Sequence, residues 1–191
     1  MNKDVIKKIK DGYPLTKDEE LELLEEKDSA TLLKQCRLYF KYTCFNEPAE
    51  NKMLELPEPL RGQLLKLYFP NNELSEAGEI KLVRMIKSER EIKDYLGKYP
   101  RQFYDATELE LLAQDNWLDL LWGYMSQWWL GDEAEPKFYA MAGKKKPLIT
   151  KYERMKRVNM AAAIERGELR IFKGEDALYK KYKSIMAKKG R

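Results

Sequence analysis

The chain contains no histidine. Catalytic triads and dyads built on imidazole, mixed His/Cys zinc sites and the commonest general base of enzymes are therefore excluded. Cysteine is nearly as scarce. Cys36 and Cys44 are the whole complement, too few for a Cys-only zinc site or for the disulfide framework of a small secreted domain. On a continuous helix they would stand about 12 Å apart, beyond the reach of a disulfide, and they read as two small buried hydrophobes. Long apolar runs are missing as well, and nothing approaches the roughly 18–20 residues of a membrane helix. The first residues, Met1 to Lys8, carry charge with no apolar run behind them. That predicts a chain without a secretory leader, in the cytoplasm and away from membranes. Phosphate-cradling and nucleophile motifs are absent too. Gly143-Lys144-Lys145-Lys146 has the Gly-Lys step of a phosphate loop but neither the upstream glycine nor the following Ser/Thr, and reads as a helix stop with a basic loop. No cofactor and no metal are expected.

What the chain does have is a period. It has 191 residues, 43% of them hydrophobic and 36% charged, enough for one core or a small array. A starting hydrophobe recurs at Leu15, Phe45, Leu74, Phe103 and Leu130, at steps of 30, 29, 29 and 27 residues. A capping-type residue follows each start within two positions: Thr16, Asn46, Ser75, Asp105 and Asp132. Such side chains accept hydrogen bonds from the orphan amides of a helix start. Thr16/Glu19, Asp105/Glu108 and Asp132/Glu135 also have capping-box spacing. Apolar pairs follow eight and nine residues on: Leu23/Leu24, Met53/Leu54, Leu82/Val83, Leu111/Leu112 and Phe138/Tyr139. A breaker or polar residue comes next, then a second amphipathic stretch ending in tyrosine at Tyr39, Tyr68, Tyr99, Tyr124 and Tyr152. Each unit is therefore predicted to be an αα-hairpin of 27–30 residues. A hairpin this small buries its apolar stripe only by stacking on neighbours, which is the logic of a solenoid.

The expected organisation is all-α: an α-solenoid of five such hairpins. Residues 1–14 form an N-terminal capping helix, 15–157 the array and 158–191 a basic C-terminal helical cap. Within that cap, Met160, Ala162, Ala163 and Ile164 predict a short helix ending near Gly167. Leu178, Tyr182, Ile185 and Met186 predict a last one opening near Gly174, and 169–172 is a strand or a loop.

The frame Leu-Ser/Thr-x-x-x-Glu-x-x-Leu-Leu, most complete over Leu74 to Val83, with its second helix ending in Tyr, resembles short bacterial α-helical tandem repeats. In style it is similar to HEAT-like and leucine-rich-repeat-variant arrays. The resemblance covers about three quarters of the chain. It implies a helical array with a generic role in binding macromolecules, and carries over no catalytic residue.

Three features bear on function. Glu19, Glu20, Glu22, Glu25 and Glu26 crowd one predicted helix and read as its solvated face rather than as paired catalytic carboxylates. All four tryptophans, Trp117, Trp122, Trp128 and Trp129, fall within thirteen positions. Trp117, Leu121, Tyr124 and Trp128 have core-stripe spacing, while Trp122 and Trp129 lie round the side. Tryptophan is enriched at interface hot spots, so Trp122, Tyr124 and Trp129 are the candidate anchors for a protein or peptide partner.

Charge is the third. Residues 144–191 carry a net +11 and residues 1–143 a net −7. The basic set, Lys144, Lys145, Lys146, Lys151, Arg154, Lys156, Arg157, Lys180, Lys181, Lys183, Lys188, Lys189 and Arg191, interleaves with Tyr152, Tyr179 and Tyr182. It suits phosphate neutralisation with base stacking, with Lys144, Lys145, Lys146, Lys180, Lys181 and Lys183 as candidate nucleic-acid contacts. It also suits a solvated terminus or an acidic protein surface. The expectation is a non-catalytic module binding a protein or peptide through a concave face; the alternative is a nucleic-acid binder acting through the basic end.

Overall fold

The computed structural model describes residues 3–98 and 101–167. Among them the chain is all-α: α1 (Lys3–Asp11), α2 (Lys17–Leu24), α3 (Ser29–Tyr39), α4 (Glu47–Glu55), α5 (Leu60–Tyr68), α6 (Glu76–Met85), α7 (Glu89–Leu96), α8 (Asp105–Ala113), α9 (Trp117–Tyr124), α10 (Ala134–Ala142) and α11 (Lys146–Glu165). No helix among the described residues is long and apolar enough to cross a membrane.

Several helices begin where a side chain receives an orphan amide. Thr16 and Glu19 form the full capping box of α2. Asp28 caps α3 through the amide of Thr31, Asn46 caps α4 through Ala49, and Ser75 receives the amide of Gly78 in α6. The two other predicted capping boxes do not form. Asp105 is already inside α8, whose first position carries no side-chain cap, and α10 starts after Glu133 rather than at Asp132.

The chain divides into two compact units, residues 3–85 with 97–98, and 86–96 with 101–167. In the first, α2, α4 and α6 pack side by side as one row and α1, α3 and α5 as another, with α4 and α5 bridging the rows. Its core is Val5, Ile9, Leu23, Leu32, Tyr39, Phe40, Phe45, Met53, Leu54, Leu64 and Tyr68. Phe40 meets Phe45 and Tyr68 edge-on, at centroid distances of 4.8 and 4.9 Å. In the second unit α7 packs on α9 and α8 on α10, with contacts between α8 and α9 and between α10 and α11. There Phe103 stacks on Tyr124 at 4.7 Å and Phe138 on Tyr152 at 4.3 Å. The apolar pairs of the frame turn inward as expected except at the last, where Phe138 is buried and Tyr139 is exposed.

One expectation at the C-terminal end changes. Residues 146–165 form one continuous 20-residue helix, so the boundary drawn after Arg157 falls inside α11. No breaker lies between Arg157 and Gly167, and the helix stops only there, where Gly167 takes φ 76°, a conformation glycine adopts at no steric cost. The strand-or-loop at 169–172 and the last predicted helix, with Lys180, Lys181 and Lys183, lie outside the described residues. The cysteines also part company. Cys36 is buried, and burial pushes its thiol above the usual range. Cys44 lies past the end of α3 and is exposed, so only the first behaves as a buried hydrophobe.

Candidate functional site

The most regular polar feature is a glutamate that recurs five residues after each start: Glu20, Glu50, Glu79, Glu108 and Glu135. The first four are at most 3% exposed. Glu20 is thus not part of a solvated face. It sits three and four residues before Leu23 and Leu24, on the side of α2 that faces the core.

Each of four glutamates accepts a hydrogen bond from the tyrosine that ends the same hairpin. The distances are 2.7 Å for Tyr39 to Glu20, 2.6 Å for Tyr68 to Glu50, 2.6 Å for Tyr124 to Glu108 and 2.9 Å for Tyr152 to Glu135. The second carboxylate oxygen accepts a backbone N–H from the start of the following hairpin: Asn46 at 3.0 Å on Glu20, Ser75 at 2.9 Å on Glu50 and Gly131 at 2.6 Å on Glu108. Side chains add to it. The Asn46 amide and the Ser75 hydroxyl also reach Oε2 of Glu20 and Glu50, and Gln102 reaches Glu108 at 3.1 Å. Tyr39 and Tyr124 in turn accept the start N–H of their own hairpins, from Leu15 and Phe103, both at 3.2 Å. The relay ties a hairpin's start to its end and its end to the next start.

Burial pushes Glu20 above the usual carboxylate range and Glu108 up to about 7, against the hydrogen bonds that favour their ionised forms. Burial likewise raises the phenols of Tyr39, Tyr68 and Tyr152, Tyr39 to about 12, so these three stay protonated donors.

The relay ends differently at Glu135. Lys156, one turn beyond Tyr152 on α11, holds both carboxylate oxygens at 2.6 and 2.7 Å. A lysine ammonium thus stands where the earlier glutamates receive a backbone amide. Asn159, one turn further on, donates to the carbonyls of Met125 and Trp128 at 2.8 and 2.6 Å, closing the end of α9.

The candidate anchors are not brought together. Tyr124 is fully buried inside the relay, so it offers no ring to a partner. Helix α9 ends at Tyr124, so Trp122 and Trp129 do not share a helical face. Trp122 is half-buried with Lys151 over its ring at 3.7 Å. Trp129 is half-buried against Trp128, and its carbonyl accepts from Gln102. Lys144, Lys145 and Lys146 are all exposed at the turn into α11. Tyr152, read as a possible base-stacking ring, is buried.

The structure does bring together part of the basic set. An open cleft of about 850 Å³ lies between the end of α9 and α11, lined among others by Met125, Lys146, Lys151, Arg154, Met155 and Val158. The signal for both features was in the chain. A glutamate three and four residues before every apolar pair lies on the core face in all five units. The cations at 146, 151 and 154 share one face with Met155 and Val158 once α11 is read as a single helix.

Comparison with family models, with curated proteins and with solved structures returns no match for this chain.

Proposed function

We propose that the chain is a non-catalytic helical-repeat module, an α-solenoid of five hairpins, that binds a protein or peptide partner. The observation that carries this reading is the glutamate–tyrosine–amide relay. The carboxylates best placed for acid–base chemistry by their burial are held as acceptors at junctions between hairpins. Polar groups used this way specify how hairpins stack and leave the outer faces of the helices for recognition. A stack of this kind presents an extended, concave surface. Trp122 and Trp129, both half-buried, remain contact candidates.

The test is capture of partners from native lysate by the immobilised full-length chain, with crosslinking and with or without nuclease. Protein capture that survives nuclease is expected. Failure to capture any protein would remove the reading.

A second reading, nucleic-acid binding through the basic C-terminal segment, is favoured by the exposed run Lys144–Lys146. It requires binding that weakens steeply with salt, since each neutralised phosphate releases counterions. Anisotropy with labelled oligonucleotides across a salt series separates the two.

A further inference from the structure

Helix α11 is twenty residues long, against eight to eleven for the other ten described helices. One face of its N-terminal half carries Lys146, Lys151, Arg154, Met155 and Val158, and this face forms a wall of the cleft beside α9. From 146 to 158 that wall runs about 18 Å, a little over three helical turns. Met155 and Val158, both half-buried, give it apolar surface, and the cations line it. We infer that this cleft takes an acidic peptide segment carrying apolar side chains. The inference rests on the reading of the chain as a protein-binding module and names the class of partner.

Charge is the first argument. The carboxylates nearest in sequence are occupied elsewhere: Glu135 by Lys156 and Glu153 by Arg157 at 3.7 Å. The first turn of α11 holds no acidic residue. Lys146 and Arg154 are exposed and have no carboxylate partner among the described residues. Lys151 is held over Trp122 by a cation–π contact rather than by an anion. Three positive charges thus stand on one wall with no negative charge from the described residues set against them, which favours an anionic occupant.

The apolar lining is the second argument, and it separates a peptide from a nucleic acid. Single-stranded nucleic acid is held by open aromatic faces beside a basic track. Here Trp122 is covered by Lys151 and Tyr152 is buried. What the cleft offers instead is the half-buried Met155 and Val158. Methionine is flexible and polarisable and moulds to the apolar side chains of a docked helix. Apolar contact flanked by charge is how a groove takes an amphipathic peptide.

The experiment uses the full-length chain and a fluorescein-labelled peptide of about 15 residues, leucine at helical spacing and glutamate elsewhere. Its counterpart with glutamine for glutamate and a single-stranded oligonucleotide of similar length serve as comparison probes. Saturable binding of the acidic peptide is expected, with affinity about tenfold weaker for the glutamine peptide. The double variant Lys146→Glu/Arg154→Glu should weaken acidic-peptide binding by about tenfold or more, since it reverses two exposed charges. Met155→Ala should weaken it with little change in salt dependence. Lys151 is left in place because it packs on Trp122. If the double variant melts early, Lys146→Gln/Arg154→Gln replaces it.

No binding of the acidic peptide, equal affinity for both peptides, or unchanged affinity in the charge variant overturns the inference. So does tighter binding of the oligonucleotide, which would transfer the cleft to nucleic acid. Lysate capture repeated with the charge variant distinguishes the two levels of failure. Equal capture by wild type and variant removes the cleft and leaves the binding module standing. No capture by the wild type removes the module itself.

Discussion

Glu108 lies with no exposed surface in the hollow between α8, Tyr124 and Gly131, and that burial sets how it responds to pH. Its pKa in the folded chain is about 7, against an ordinary value of 4.5. The folded state therefore holds the proton more tightly than the unfolded chain does. The stability this provides is fully present below about pH 4.5 and is lost as pH rises through about 7. At 1.36 kcal/mol per unit the effect is on the order of 3 kcal/mol. Urea midpoints should fall between about pH 5 and about pH 8, and Glu108→Gln should flatten that fall. A profile as steep in the variant as in the wild type would place the dependence elsewhere. The tyrosines make a second test. Tyr39 and Tyr124 each donate to a glutamate and accept a start amide. Replacing either with Phe leaves one buried acceptor and one buried donor short, at about 1–3 kcal/mol per unsatisfied group. Tyr152→Phe should cost less, because Lys156 still holds Glu135. Equal losses at all three positions, measured by denaturant unfolding, would contradict the relay. The glutamates were readable as a repeating letter, yet their chemistry was not. Periodicity assigns a face, and a charged residue on a core face is legible as buried only once its donors, supplied from other helices, are known.

At the scale of elements, the closest packing is between α7 and α9. A Cβ added at Gly123 would stand 2.0 Å from Cγ2 of Ile92 and 2.9 Å from the Glu89 carbonyl oxygen. Backbone cannot move aside as a side chain does. Gly123→Ala should therefore force the two helices apart, at about 1–3 kcal/mol or more. Gly62→Ala in α5 is the control. The nearest atom there is the Glu58 carboxylate at 3.0 Å, the far end of a flexible side chain, so the change should be near neutral or stabilising through the better helix propensity of alanine. Comparable destabilisation of both variants in urea would refute the close approach. Helix starts were well read wherever the side chain behind them had a free amide to receive, as at Thr16, Asn46 and Ser75. Helix ends were read less well. The break expected after Arg157 followed a blurring of the repeat, but the backbone needs a breaker to stop. The end of α9 at Tyr124 is fixed by Asn159 from a helix 34 residues away, a contact that local spacing does not contain.

Across the whole molecule, all four tryptophans belong to the second compact unit. Their fluorescence reports that unit alone, while far-ultraviolet circular dichroism reports helices of both. A continuous five-hairpin array, as proposed, should give coincident denaturant transitions by the two probes. A dichroism transition with an extra phase that fluorescence lacks would mean the units unfold independently. The all-α character was legible because the hydrophobic spacing of three and four persists from Leu23 to Tyr152. The chemistry of the last described unit was not, since Lys156 looks like any other cation of the basic set until Glu135 is seen beside it.

The junctions between hairpins read main chain. Asn46 and Ser75 add a side-chain contact and Gly131 has no side chain to add, yet each supplies its amide hydrogen to the preceding glutamate. Any residue but proline has one. A gene encoding such a chain can lose or gain a whole unit without rewriting the seam. Excision of residues 45–73 would set Leu74 and Ser75 directly after the first hairpin, with the Ser75 amide in register for Glu20. At the last described junction one codon changes the chemistry, the one that puts an ammonium group at position 156.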